Sequence, residues 1–159
     1  VSFTNAIFHR LLPLLGLLVA ACATPPVITV TGMDVVETGV NTSEVALRLE
    51  IQNTTGLPIR LDTWDYNLLV GESQVYNGAW VASITIPPES RVLTAIPAVI
   101  SNVDLPNANA SWRVRGWIRY LEPNRFSQML YDLGLNRPSA GFSGDGTKVG
   151  SGGSVPSAG

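Results

Sequence analysis

The chain has 159 residues, ten basic side chains against twelve acidic ones, and a formal net charge of −2. That balance supplies no basic face for nucleic acid and no polybasic membrane patch. A single cysteine, Cys22, excludes an intramolecular disulfide, and a single histidine, His9, sits near the N-terminus.

The first segment reads as an export signal over residues 1–21. His9 and Arg10 precede an apolar core from Leu11 to Ala21, about half the roughly 20 residues that a membrane-spanning helix needs. The core ends in Val19-Ala20-Ala21-Cys22, which resembles the bacterial lipobox. The resemblance implies that residues 1–21 are removed and that the Cys22 thiol receives a diacylglycerol. The domain would then be anchored at the periplasmic face of the outer membrane, the destination that Ala23 favours over the inner membrane. An ordinary secretory signal with a chance cysteine, or a small buried core thiol, are the other readings of Cys22. Residues 22–26 form the tether.

From Val27 the dominant period is two. Val45, Leu47, Leu49 and Ile51 fall on one face while Arg48, Glu50 and Gln52 fall on the other, the pattern of a half-buried strand. Trp64, Tyr66, Leu68 and Val70 repeat it, as do Trp112, Val114, Ile118 and Tyr120. Weaker strands are expected over 27–31, 74–79, 81–86 and 91–100. Turn signals separate them: Asn53 to Gly56 with Pro58, Gly71-Glu72, Asn77-Gly78 and Pro87 to Ser90. About seven short strands punctuated in this way predict an all-β antiparallel sandwich of the immunoglobulin or fibronectin III kind over residues 27–138. After Pro123, the spacing of Phe126, Met129, Leu130 and Leu133 predicts a short helix with Gly134 as its C-cap, against one further strand. Residues 139–159 are rich in Gly and Ser. They predict a flexible tail, fully so from about Gly144.

Few residues suggest chemistry. Removal of residues 1–21 takes His9 with it, and without histidine or a free thiol neither a Ser-His-Asp or Cys-His nucleophile nor a His- or Cys-based metal site is expected. Asp62 and Asp65 flank Trp64; an offset of three puts them on opposite faces of a strand unless a bulge intervenes. A carbohydrate-binding or hydrolytic role for Asp62 would need a concave cleft walled by Trp64 and Tyr66. Arg113, Arg115 and Arg119 line the polar face that carries Trp117. With Trp80 they form the candidate interaction surface, for an anionic partner or else as a solvated face paired with neighbouring acids. Asn41, Asn53 and Asn109 begin Asn-x-Ser/Thr triplets, read as chance matches.

The run from Leu47 to Leu61 with Asn53 at its centre, then Trp64 to Val70, Gly71, Val75 to Gly78 and Ile84 to Ser90, resembles the WHy domain, named for water stress and hypersensitive response and also called late-embryogenesis-abundant type 2. The likeness spans roughly Val27 to Tyr120. Thr54-Thr55 stands where the family has Pro-Asn after the strand-ending asparagine. The resemblance implies a sandwich fold, no enzymatic activity, no cofactor, and a role in tolerance of desiccation or osmotic stress. Client or envelope proteins and, through Cys22, the membrane are the expected partners. The alternative is a docking or assembly part of an envelope or secretion complex.

Overall fold

Alternation commits the middle of the chain to strands that are apolar on one side only, and such strands bury that side by pairing two sheets face to face. The computed structural model describes residues 24–106, 110–122, 125–147 and 150–151. The expected signal segment 1–21, Cys22, Asn109 and residues 152–159 lie outside them.

Nine strands and one α-helix follow in order among the described residues: β1 (Val27–Thr38), β2 (Thr42–Gln52), β3 (Ile59–Val70), β4 (Ser73–Val81), β5 (Thr85–Ile86), β6 (Arg91–Ser101), β7 (Trp112–Leu121), α1 (Arg125–Asp132), β8 (Ser139–Gly146) and β9 (Gly150–Ser151). The first sheet has the order β6-β2-β1-β9, and the second β4-β3-β7-β8 with β5 also paired to β3. All pairings are antiparallel except β1 with β9. The predicted all-β sandwich is the observed fold. Its core lies between the sheets, where Val45, Leu47, Leu49 and Ile51 meet Trp64, Leu68, Val114 and Ile118, all of them buried. Tyr66 crosses this core and donates its hydroxyl to the carbonyl of Pro97 on β6. Burial, reinforced by the Tyr76 hydroxyl, pushes that phenol far above its ordinary pKa.

Three expectations are corrected. The end of the run 47–61 and the segment 64–70, separate in the family-like pattern, join from Ile59 in one strand, β3. The register against β7 slips between Leu61 and Thr63, so Asp62 is an inserted residue and both Leu61 and Trp64 remain inward. The expected strand over 81–86 shrinks to Thr85–Ile86; Ala82 and Ile86 are buried there, and half-buried Ile84 packs against the core.

The third correction concerns the tail. Ser139–Gly146 is strand β8, with Ala140 and Phe142 buried, and Gly150–Ser151 pairs with β1. Glycine here provides space rather than freedom. A Cβ on Gly144 would collide with the Val30 side chain, and one on Gly146 would lie 2.7 Å from the Trp112 ring. The last strand of the second sheet closes on β1 only because those side chains are absent.

The predicted helix is present. Gly134 has a φ of 70°, the Leu135 amide donates to the Leu130 carbonyl and the Gly134 amide to that of Tyr131, so the glycine ends α1 in a Schellman turn. The helix is tied down by the Tyr131 hydroxyl, which donates to the Asp62 carboxylate, while Arg137 lies over the Tyr131 ring at 5.8 Å. Burial first, then the bond to Asp62, pushes the Tyr131 pKa up to about 12. A raised folded-state value means that the tie is intact below the ordinary tyrosine pKa of about 10 and is lost as pH climbs through the raised one. The attachment of α1 is therefore insensitive to pH around neutrality. Tyr131→Phe is expected to speed amide exchange over residues 125–135 at neutral pH while lowering global stability by only about 1 kcal/mol, because the bond is partly solvated. Exchange unchanged from wild type would show that α1 does not depend on Asp62.

Candidate functional site

From Trp112 to Tyr120, strand β7 is inward at even positions and outward at odd ones, so its sequence sets the composition of the outer face of the second sheet. Cross-strand pairing builds that face in rows. Thr63, Arg119 and Ser139 form one; Ala79, Asp65, Trp117 and Gly141 the next; Asn77, Asn67, Arg115 and Ser143 the third; and Leu69, Arg113 and Asp145 the last. Trp117 is 53% exposed between Asp65 and Gly141, so no side chain covers the flank of its ring toward Gly141. An open depression of about 980 Å³ is lined by Asp65, Asn67, Asn77, Arg115, Trp117 and Ser143.

The arginine row divides. Arg119 faces Asp65 across the strands at 3.4 Å, long for a hydrogen bond but close enough for charge compensation. Arg113 and Arg115 have no acidic partner within ion-pair distance among the described residues. The Asn67 Oδ1 is shielded from solvent and accepts no hydrogen bond, and the Asp65 Oδ2 is likewise without a donor apart from its Coulombic contact with Arg119. The face thus presents two guanidiniums outside any ion pair, an indole that can stack, and amide groups between them.

Trp80 does not belong to this face. It is the cross-strand partner of the buried Trp64, so it stands on the inward side of the edge strand β4, exposed only because the sheet ends there. The structure therefore brings together Arg113, Arg115, Trp117 and Arg119 and separates Trp80 from them. Cys22, the expected lipidation residue, lies outside the described residues. Asp62 is occupied by Tyr131 and Thr63, and Trp64 and Tyr66 are buried. The aromatic walls that a carbohydrate cleft at Asp62 would need are absent from that place.

No protein-family model matches the chain, and no curated protein matches it in sequence. Solved structures do match. The solution structure of AT1g01470 from Arabidopsis thaliana superposes with a TM-score of 0.56 at 13% identity, over 81% of this chain and 86% of that one. The X-ray structure of the structural genomics target SoR45 superposes with a TM-score of 0.50 at 16% identity, over 77% and 88% of the respective chains. What they share is the fold.

Two further features have surroundings that only the structure shows. Asn53 is buried at 1% exposure and organises the end of β2. Its amide nitrogen donates to the carbonyls of Leu57 and Pro87 at 2.7 and 2.9 Å, and its oxygen accepts from the amide and hydroxyl of Thr55 at 3.0 and 2.8 Å. Its burial also removes it as a glycosylation acceptor. The second feature is α1 itself, which buries none of its residues. Its expected apolar stripe faces outward, with Phe126, Met129 and Leu133 exposed and Leu135 beside them. Among the described residues no three His, Cys, Asp or Glu side chains are grouped to hold a metal ion, and no helix is long and apolar enough to cross a membrane.

Proposed function

We propose that this chain is a lipid-anchored, non-catalytic envelope protein, held by an acylated Cys22 at the periplasmic face of the outer membrane, whose WHy-like sandwich protects membrane or envelope proteins during water loss. The observation that carries the reading is the spacing at the start of the domain. Val-Ala-Ala-Cys22 follows an apolar core, and strand β1 begins at Val27, so a folded sandwich starts directly after the acylation signal. The turn at Asn53 supports the WHy-like part: Thr55 supplies the donors at the position where the family pattern has asparagine, so the strand-ending Asn53 keeps its polar role without the Pro-Asn pair.

Cys22→Ser is the direct test of the anchor. The wild-type protein is expected in the membrane fraction, with a diacylglyceryl group found on Cys22 by mass spectrometry, and the variant is expected to be folded and released from it. A variant that stays in the membrane fraction sinks the anchor. Protection is tested separately: the released domain should preserve a client enzyme through drying better than albumin at equal mass, and a deletion strain should survive drying less well. Equal results in both assays would remove the protective role and leave the anchor.

A second reading, a docking part of an envelope complex, is favoured by one observation, the uncompensated Arg113 and Arg115 beside exposed Trp117. Arg113→Glu with Arg115→Glu should then abolish co-purification of an acidic partner without altering the fold.

A further inference from the structure

The end of the sandwich from which the chain leads back to Cys22 is also the end that carries α1. Strand β1 runs alongside β8 in the same direction: Ile28 lies near Gly141 and Phe142, Val30 against Gly144, and Asp34 opposite Gly150. The start of β1 therefore lies beside the start of β8 at Ser139, and α1 stands between the end of β7 and that point, tied to Asp62 near the start of β3. Pro26, immediately before β1, is buried, so the path back to Cys22 begins at this end and nowhere else.

Chain geometry then limits how far the domain can stand from its anchor. Four residues lie between Cys22 and Val27, and even fully extended the five Cα-to-Cα steps reach about 18 Å. A twelve-residue strand such as β1 is about 40 Å long. An acylated Cys22 thus keeps this end of the sandwich at the bilayer surface and holds the opposite end, with Val103, well clear of it.

The exposed side chains at the near end suit that position. Phe126 is 66% exposed, Met129 49%, Leu133 63% and Leu135 72%, while Arg125 at the start of α1 and Arg137 just after it are exposed and basic. Leu57 and Val27, also exposed, belong to the same end. An apolar stripe bracketed by arginines fits the boundary between acyl chains and anionic headgroups. We infer that α1 is a second membrane contact: its Phe126, Met129, Leu133 and Leu135 insert shallowly into the bilayer beside the acylated Cys22 and orient the sandwich upright on the surface. This inference rests on the anchor reading above.

The test uses the full acylated chain. Because the anchored protein has its one native cysteine blocked by lipid, Met129→Cys and, at the far end, Val103→Cys each offer a unique thiol for an environment-sensitive fluorophore. The labelled proteins are reconstituted into phosphatidylethanolamine and phosphatidylglycerol vesicles with or without lipids that carry a doxyl quencher on the acyl chain. Emission at residue 129 should shift to the blue and fall about twofold with the quencher, and emission at residue 103 should do neither. A membrane-bound protein whose residue-129 probe is not quenched overturns the inference and leaves the anchor standing. A blue shift without quenching also overturns it, because protein rather than lipid then covers α1. If the unlabelled wild-type chain is found in the soluble fraction, the anchor reading fails, and this inference fails with it.

Discussion

Asn53→Ala is expected to destabilise the domain by about 4 kcal/mol, a large share of the roughly 5 to 15 kcal/mol that holds a domain of this size together. The side chain sits where the end of β2, the loop leading into β3 and the turn between β5 and β6 converge. Its amide serves the carbonyls of Leu57 and Pro87, with Ile86 more distant at 3.4 Å, and its oxygen serves Thr55. The backbone adds to the junction, since the Asn53 amide donates to Ser90 and the Glu89 amide to Thr55. Alanine leaves these carbonyls and the Thr55 donors facing one another with little water to replace the lost partner. Urea denaturation should show the midpoint falling with an unchanged slope. Asn53→Asp gives a sharper version. It keeps the acceptor for Thr55 but turns a carboxylate toward carbonyl oxygens, so its folded-state pKa should lie above the unfolded value of about 3.9. That variant should be most stable below the unfolded value and lose stability as pH rises toward neutral. Either substitution costing less than about 1 kcal/mol would mean that the three segments hold their geometry without Asn53.

The second large effect is expected at Gly116 in the centre of β7. Its cross-strand partners are Tyr66 on one side and Phe142 on the other, and the Phe142 ring also packs edge-on against Trp64 at 5.4 Å. A Cβ on Gly116 would lie 2.5 Å from the Asp65 carbonyl oxygen, 2.6 Å from the Tyr66 Cβ and 2.9 Å from the Phe142 ring. Two of these neighbours belong to the backbone or to the root of a side chain, so neither can rotate aside. Gly116→Ala should therefore cost about 3 kcal/mol by overpacking. Gly141→Ala is the matched control. That glycine pairs with Trp117 on the outer face, and its added Cβ would meet nothing nearer than a carbonyl oxygen at 3.9 Å. The change should stay within about 0.5 kcal/mol. Equal effects at the two positions would refute the steric account.

These two sites mark the limit of what the linear chain reveals. The period-two stretches in β2, β3 and β7 are legible because burial on one face acts on every second residue regardless of the partner. The helix over 125–132 and its glycine cap are legible for a similar reason, since both signals are local. Asn53 is visible as a turn residue, but its burial is not, because Ile86 and Pro87 come to it only when β5 pairs with β3. The outward face of β7 could be read as Arg113, Arg115, Trp117 and Arg119. The pairing of Arg119 with Asp65, and its absence for Arg113 and Arg115, depends on which strands become neighbours.

The class of fold, the inward and outward residues of its strong strands, the helix and its cap thus follow from the linear chain, because they come from periodicity and from φ preferences within a few residues. Tertiary structure alone decided three things. It turned the Gly-rich stretch 139–146 into a strand, since those glycines are required by Val30 and Trp112, which come from distant parts of the chain. It placed Trp80 on the opposite side of the sheet from the arginine row, since the face of an edge strand is set by its register with Trp64. It also left the apolar stripe of α1 uncovered at the end from which the chain leads back to Cys22, since a helix face is buried only if another element arrives to cover it, and among the described residues none does.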